Sequence, residues 1–138
     1  MTINEIQDEL IEDFAFYCDW MEKYEHIIQL GKEVPLIEDQ YKTDQFIIKG
    51  CQSKVWLYPE LIDGKVIFKA DSDAIITKGL VSLMVKVLSG HTAKEIADAD
   101  LYFIDQIGLK EHLSPTRANG LLSMVKQMKL YAIALQNR

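Results

Sequence analysis

The sequence predicts an α+β domain in which a small antiparallel sheet of three strands packs against helices. Two amphipathic helical patterns open the chain, three short β-branched and aromatic runs follow, and helical patterns then return. Because the strand-like runs stand together instead of alternating with helices, we do not expect a doubly wound parallel sheet.

Capping signals mark two helices at the N-terminal end. Thr2 and the glutamate three residues later form a capping box, and apolar residues then recur at helical spacing as far as Met21. Asp19 and the glutamate three residues later repeat the capping signal for a second, short helix. Gly31 can adopt the left-handed conformation that closes such a helix.

The middle of the chain predicts three strands, at 46–48, 55–58 and 66–68. Between the second and third runs, Asp63-Gly64 is a pair favoured in type I′ turns, so these two strands should form an antiparallel hairpin. Pro59 has no N–H to donate to a strand ladder. The second strand should therefore bulge, bend or lie at a sheet edge near this residue.

Helical patterns return after the strands. Asp71-Ser72-Asp73 places side-chain acceptors before the apolar segment 75–88, which predicts a capped and mostly buried central helix. Gly79 within this segment costs ~1 kcal/mol relative to alanine and indicates close backbone packing. A capping box beginning at Thr92 predicts a short helix, and Ser114-Pro115 opens a long final one.

Composition restricts the functions that we expect. With 138 residues, 49% of them hydrophobic and 26% charged, the chain is interpreted as a single globular domain, residues 1–138. Its formal charge of −6 provides no electrostatic attraction to nucleic acid or an anionic membrane. The acidic start differs from a signal peptide and no apolar run reaches the ~18 residues of a membrane span, so we expect a cytoplasmic protein.

Two cysteines are candidates for thiol chemistry, and they form no Cys-x-x-Cys motif. Cys51 lies between the first two predicted strands, beside Gly50, whose conformational freedom suits a loop that presents a side chain. Loop N–H groups, the Gln52 amide and the Ser53 hydroxyl could stabilise a thiolate there, although position alone fits a buried, inert cysteine equally well. Cys18 falls on the predicted first helix, where we expect it to pack in the core.

Arg117 stands in the first turn of the predicted last helix, where a cation opposes the helix dipole. Another group should therefore hold it: either an ion pair with Asp71 or Asp73, or direct contact with a substrate. The histidines lack the spacing of a metal site, and no glycine-rich phosphate loop is present.

Several motifs together resemble the SufE sulfur-acceptor proteins of iron–sulfur cluster assembly. They are Gly-Cys-Gln-Ser-Lys-Val-Trp at 50–56, Asp-Ser-Asp-Ala at 71–74 with Lys-Gly-Leu at 78–80, Leu-Ser-Pro-Thr-Arg at 113–117 with Gly-Leu at 120–121, and the opening segment 20–24. The resemblance covers nearly the whole chain, and the seven residues around Cys51 are far more specific than a lone cysteine.

The resemblance implies that Cys51 accepts persulfide sulfur from a PLP-dependent cysteine desulfurase of the SufS or CsdA type, stimulates that enzyme and passes the sulfur to a SufBCD-like cluster scaffold. The PLP belongs to the partner, and this chain itself binds no cofactor or metal. The implied fold is the α+β body shared with IscU-type scaffolds, and a homodimer is compatible with it. The resemblance also implies a Cys51 loop that alternates between sheltered and extended positions, and roles in loop support or partner contact for Gly50, Gln52, Ser53, Asp73 and Arg117.

Three other functions remain to be weighed. An IscU-type scaffold relies on several thiolate ligands, whereas only Cys51 here has a suitable context. A regulatory module that docks on a desulfurase without carrying sulfur would tolerate Cys51→Ser. A one-cysteine peroxidase would need a Thr/Pro/Arg environment around the thiol, which the sequence does not show.

Overall fold

In residues 1–136, the part of the chain that the computed structural model describes, seven α-helices surround one β-hairpin. Two single-turn 3₁₀ helices, Asp39–Tyr41 and Asp44–Phe46, precede the hairpin. In chain order the elements are α1 (Ile3–Ala15), α2 (Trp20–Gly31), β1 (Val55–Ile62), β2 (Lys65–Ser72), α3 (Ile75–Leu88), α4 (Ala93–Asp98), α5 (Phe103–Ile107), α6 (Leu109–His112) and α7 (Pro115–Gln136).

The N-terminal caps are confirmed, but α1 is shorter than predicted. Thr2 forms its capping box, and α1 ends at Ala15 instead of continuing to Met21. A separate helix, α2, begins shortly afterwards at Asp19, whose backbone is extended and whose carboxylate accepts the Glu22 N–H at 2.9 Å. Met21 consequently lies on α2 and is 71% exposed.

Helices α2 and α3 meet at a pair of glycines. Gly31 does not close α2 in a left-handed conformation as predicted; it is the last residue of the helix and faces Gly79 of α3. A Cβ atom on Gly31 would lie 2.9 Å from the Gly79 nitrogen, and one on Gly79 would overlap the carbonyl oxygen of Ile27. The predicted close backbone packing at Gly79 is therefore confirmed.

The hairpin has the predicted turn. Asp63 and Gly64 both have positive φ, 51° and 78°, as a type I′ turn requires. The strands pair antiparallel from Val55 opposite Ser72 to Ile62 opposite Lys65, so β1 continues through Pro59. A proline is tolerated there because both strands of a two-stranded sheet are edge strands.

The sheet of residues 1–136 has two strands, so the prediction of three is wrong. The run 46–48 begins at the end of a 3₁₀ helix and makes one isolated bridge, between Ile47 and Trp56. Immediately afterwards Gly50, with φ of 94°, begins the irregular loop that leads into β1. Turns on both sides of the run leave no length for a strand, despite its β-branched composition.

Helix α3 is the central element of the core and packs against α1, α2, α7 and both strands. Most of its residues are buried, which confirms the prediction from its apolar composition. Its predicted cap is wrong, because β2 extends through Ser72 and Ala74 takes the cap position without a side-chain hydrogen bond. Asp73 is directed instead to the Cys51 loop.

Two of the C-terminal helices, α4 and α7, begin at the predicted capping residues. The Thr92 capping box begins α4, and Ser114 accepts the Arg117 N–H at 3.3 Å at the start of α7. Helices α5 and α6, only five and four residues long, lacked a recognisable periodic pattern. Within residues 1–136, every helix is too short or too polar to span a bilayer.

Candidate functional site

Cys51 lies in an irregular loop, residues 49–54, that leads into β1. Its half-buried thiol lines a cavity of about 50 Å³ beside the first turns of α3 and α7. Gln52 and Ser53 of the loop line the same cavity, together with Thr77 and Leu80 of α3. The structure thus brings Cys51, Gln52 and Ser53, three of the predicted site residues, to one partly open cavity.

Helix α7 approaches the thiol closely at Gly120. The Cys51 thiol donates to the Gly120 carbonyl oxygen, with 3.5 Å between sulfur and oxygen. A Cβ atom on Gly120 would lie 3.4 Å from the Cys51 sulfur, so a larger side chain would occupy the cavity. The sequence analysis missed Gly120 as a site residue, although a glycine inside a long helix is the signal that could have identified it.

Gly50 shapes the loop before Cys51. Its φ of 94° is a conformation that other L-residues rarely adopt, and a Cβ atom there would overlap the Ser123 hydroxyl and lie 3.3 Å from the Ser123 Cβ atom. The backbone conformation and the approach of α7 therefore both favour glycine at this position.

The other end of the loop is tied to the connection between β2 and α3. The Lys54 N–H donates to the Asp73 carboxylate at 3.1 Å. The Lys54 carbonyl oxygen accepts the Ser72 hydroxyl at 2.8 Å and the Asp73 N–H at 3.2 Å. Asp73 therefore holds the loop at Lys54, three residues after Cys51, by bonding both the N–H and the carbonyl oxygen of that residue.

Arg117 lines the cavity from α7 with an exposed side chain. Its predicted ion pair with Asp71 or Asp73 is not formed. Asp71 is held by Lys42 at 2.6 Å and Lys78 at 3.3 Å. Among residues 1–136, no carboxylate lies within ion-pair distance of Arg117, so its cation is available to whatever occupies the cavity.

Cys18 does not have the core position that we predicted. It lies in the connection between α1 and α2, and its side chain is exposed. The prediction placed it on a helix that ends three residues earlier, at Ala15.

The surroundings of Cys51 favour the neutral thiol. Burial raises the pKa of Cys51, and the acceptor facing the sulfur is a carbonyl oxygen, which repels a thiolate. The expected stabilisation of the anion by loop donors is therefore not seen in this sheltered conformation. In this conformation, a smaller fraction of Cys51 than of an ordinary thiol is the nucleophilic thiolate at neutral pH.

This pKa shift predicts the pH dependence of Cys51 alkylation. Its rate should rise with a midpoint above the ~8.5 of an ordinary thiol, because the buried thiol resists deprotonation. By the same linkage, the stability contributed by the neutral thiol is full below pH ~8.5 and falls as the pH rises through the raised pKa. Peptide mass spectrometry after timed iodoacetamide pulses measures the midpoint, and a value at or below that of a model peptide would contradict the assignment.

Within residues 1–136, no group of three or more His, Cys, Asp or Glu side chains is placed to hold a metal ion. Around the cavity, the side-chain groups able to donate to an anion are the Arg117 guanidinium, the Gln52 amide and the hydroxyl groups of Ser53, Thr77 and Thr116.

Comparison with known proteins decides the family. The SufE family, described as an Fe-S metabolism associated domain, matches residues 8–132. The chain belongs to the SufE family. An uncharacterised SufE-like protein of Rhizobium meliloti is 40% identical over 127 residues, covering 88% of this chain and 91% of the relative. An uncharacterised SufE-like protein of Synechocystis is 37% identical over 128 residues, covering 93% and 80%.

This SufE-family chain is thereby associated with iron–sulfur metabolism, and the resemblance found in its motifs is confirmed. Its fold also matches the solution structure of a hypothetical protein from Thermus thermophilus, with a TM-score of 0.80 and 16% identity. The match covers 96% of this chain and 97% of the other. At this identity it shows the α+β fold alone.

Proposed function

We propose that this SufE-family protein is a cytoplasmic sulfur carrier whose Cys51 accepts sulfane sulfur from a PLP-dependent cysteine desulfurase and passes it to a cluster-assembly scaffold. The observation that carries the proposal is the cavity beside the half-buried Cys51 thiol. One water needs roughly 10–15 Å³ of such space, so the cavity of about 50 Å³ has room for one more sulfur atom.

The transfer balances without an external oxidant. The Cys51 thiolate attacks the outer sulfur of the desulfurase persulfide, a new S–S bond forms on Cys51, and the old S–S bond breaks. The desulfurase cysteine leaves as a thiolate and takes up the proton that Cys51 gave up. By removing the sulfur, the carrier returns the desulfurase to its free form and stimulates its turnover.

The loop contacts support an alternation between a sheltered and an extended Cys51. The thiol is held by one long sulfur hydrogen bond to Gly120 and by burial. The base of the loop is held more firmly, by the Lys54 contacts with Asp73 and by the Ile48 N–H, which donates to the Val55 carbonyl at 2.8 Å. The loop can therefore open with its base intact, and leaving the cavity would lower the pKa of Cys51 toward its ordinary value.

The remaining site residues have supporting roles in this proposal. Gly50 provides the turn, and Asp73 anchors the loop. Gln52 and Ser53 line the cavity beside the sulfur and move with it when the loop opens. Arg117, at the cavity, provides a cation for a sulfur anion or for an acidic group of the desulfurase.

A docking module that regulates a desulfurase without carrying sulfur is the second candidate. The observation that favours it is the half-buried Cys51 with its raised pKa, a state that also suits an inert cysteine. Such a module would stimulate the desulfurase by binding alone.

The test is mass spectrometry of the protein after incubation with a cysteine desulfurase and L-cysteine, with alkylation before any reductant is added. We expect the mass of one additional sulfur atom on the Cys51 peptide and none on the Cys18 peptide. If the desulfurase turns over and binds the protein but no sulfur reaches Cys51, the carrier proposal is wrong and the docking module is supported.

A further inference from the structure

Thr77 lines the same cavity as the Cys51 thiol. It lies in the first turn of α3, is only 8% exposed and lines the cavity with the apolar side chains of Leu80 and Met124. Every fully buried side-chain nitrogen and oxygen in residues 1–136 has a hydrogen-bond partner. No protein hydrogen bond in this part of the chain uses the Thr77 hydroxyl, which is therefore not fully buried and is free to bond a molecule in the cavity that Thr77 lines.

A persulfide changes the hydrogen bonding in this cavity. The thiol proton of Cys51 is donated to the Gly120 carbonyl, but a persulfide has no proton on this inner sulfur. Its outer sulfur carries negative charge when ionised, and a carbonyl oxygen repels that charge. A buried sulfur anion needs hydrogen-bond donors, because an unsatisfied buried charge is strongly unfavourable.

We propose that the Thr77 hydroxyl donates a hydrogen bond to the outer sulfur of the Cys51 persulfide and retains it in the cavity. This inference rests on the proposed sulfur-carrier function and adds a specific cargo-binding residue to it. Two further features of the site also favour a sulfur anion in the cavity. They are the Arg117 cation and the positive N-terminal end of the 14-residue helix α3. In this proposal Thr77 acts after the transfer: it helps to retain the sulfur on Cys51 and takes no part in accepting it.

The test compares Thr77→Val, which removes the hydroxyl at nearly constant shape, with Thr77→Ser, which keeps it. Each protein is loaded on Cys51 with inorganic polysulfide, which needs no desulfurase: the thiolate attacks a polysulfide S–S bond and a shorter polysulfide leaves. Loss of the sulfur to glutathione is followed by alkylation and peptide mass spectrometry. We expect about tenfold faster loss from Thr77→Val, the effect of removing one hydrogen bond to a charged group, and near-wild-type retention in Thr77→Ser.

Two controls separate this role from a structural one. The thermal unfolding midpoint and the alkylation rate of unloaded Cys51 should be the same in all three proteins. Equal retention in Thr77→Val and wild type would overturn the proposal, as would loss from Thr77→Ser as fast as from Thr77→Val. If polysulfide-loaded wild type retains sulfur but the desulfurase never loads it, the carrier function fails while the Thr77 contact stands. A wild-type chain that holds sulfur from neither source would overturn both.

Discussion

Cys51→Ser is expected to reduce sulfur acceptance from a cysteine desulfurase to background while the protein remains folded. A hydroxyl at this position cannot form the S–S bond on which the transfer depends. The Cys51 side chain is half-buried and its one hydrogen bond is long, so little stability depends on the sulfur. Alkylation-trapped mass spectrometry measures acceptance, and urea unfolding checks the fold.

Cys18→Ser is the matched control, because Cys18 is the other cysteine and its side chain is exposed between α1 and α2. We expect transfer in this variant to stay within about twofold of wild type, in keeping with the small effects of most surface substitutions. Equal loss of transfer in both variants would contradict a single-thiol mechanism. Full stimulation of the desulfurase by Cys51→Ser would support the docking module instead.

Gly79→Ala is expected to lower the free energy of unfolding by roughly 2 kcal/mol. The new methyl group would overlap the carbonyl oxygen of Ile27, a backbone atom that cannot rotate away, and such overpacking costs up to roughly 3 kcal/mol. The higher helix propensity of alanine returns about 1 kcal/mol of this loss. Urea unfolding with linear extrapolation gives the difference.

Lys86→Ala provides the comparison for Gly79→Ala on the same helix. Lys86 is exposed, so its replacement should change the free energy of unfolding by no more than about 0.5 kcal/mol. An unchanged urea midpoint in Gly79→Ala would mean that α2 and α3 can separate at little cost and that the glycine contact is not a constraint on the fold.

The starts of α1, α2, α4 and α7 and the hairpin turn could be predicted because their causes are local. The Thr2 and Thr92 capping boxes each involve residues three apart, and the positive φ values of Asp63 and Gly64 follow from their own chemistry. The burial of α3 could also be predicted, because most positions of that helix are apolar. The Cys51 loop was identified by its glycine and by the family motif around it.

One error arose from adjacent turns, and others arose where a distant element decides the outcome. The run at 46–48 has the composition of a strand but makes only one bridge, because turns on both sides remove it from the sheet. Asp73 has the composition of a helix cap, yet its carboxylate accepts the Lys54 N–H from the Cys51 loop. Arg117 was expected to pair with an acid, but Lys42 and Lys78 hold Asp71.

By itself the sequence determined the α+β class, the Thr2 and Thr92 caps and the hairpin turn, since each of these depends on neighbouring residues or on a local pattern, and it predicted Cys51 as the reactive thiol. Only the tertiary structure decided the surroundings of that thiol. Gly120 and Thr77 reach Cys51 from α7 and α3, 69 and 26 positions along the chain. Their contribution to burial, pKa and the space beside the sulfur comes from helix packing, a long-range effect that no local pattern encodes.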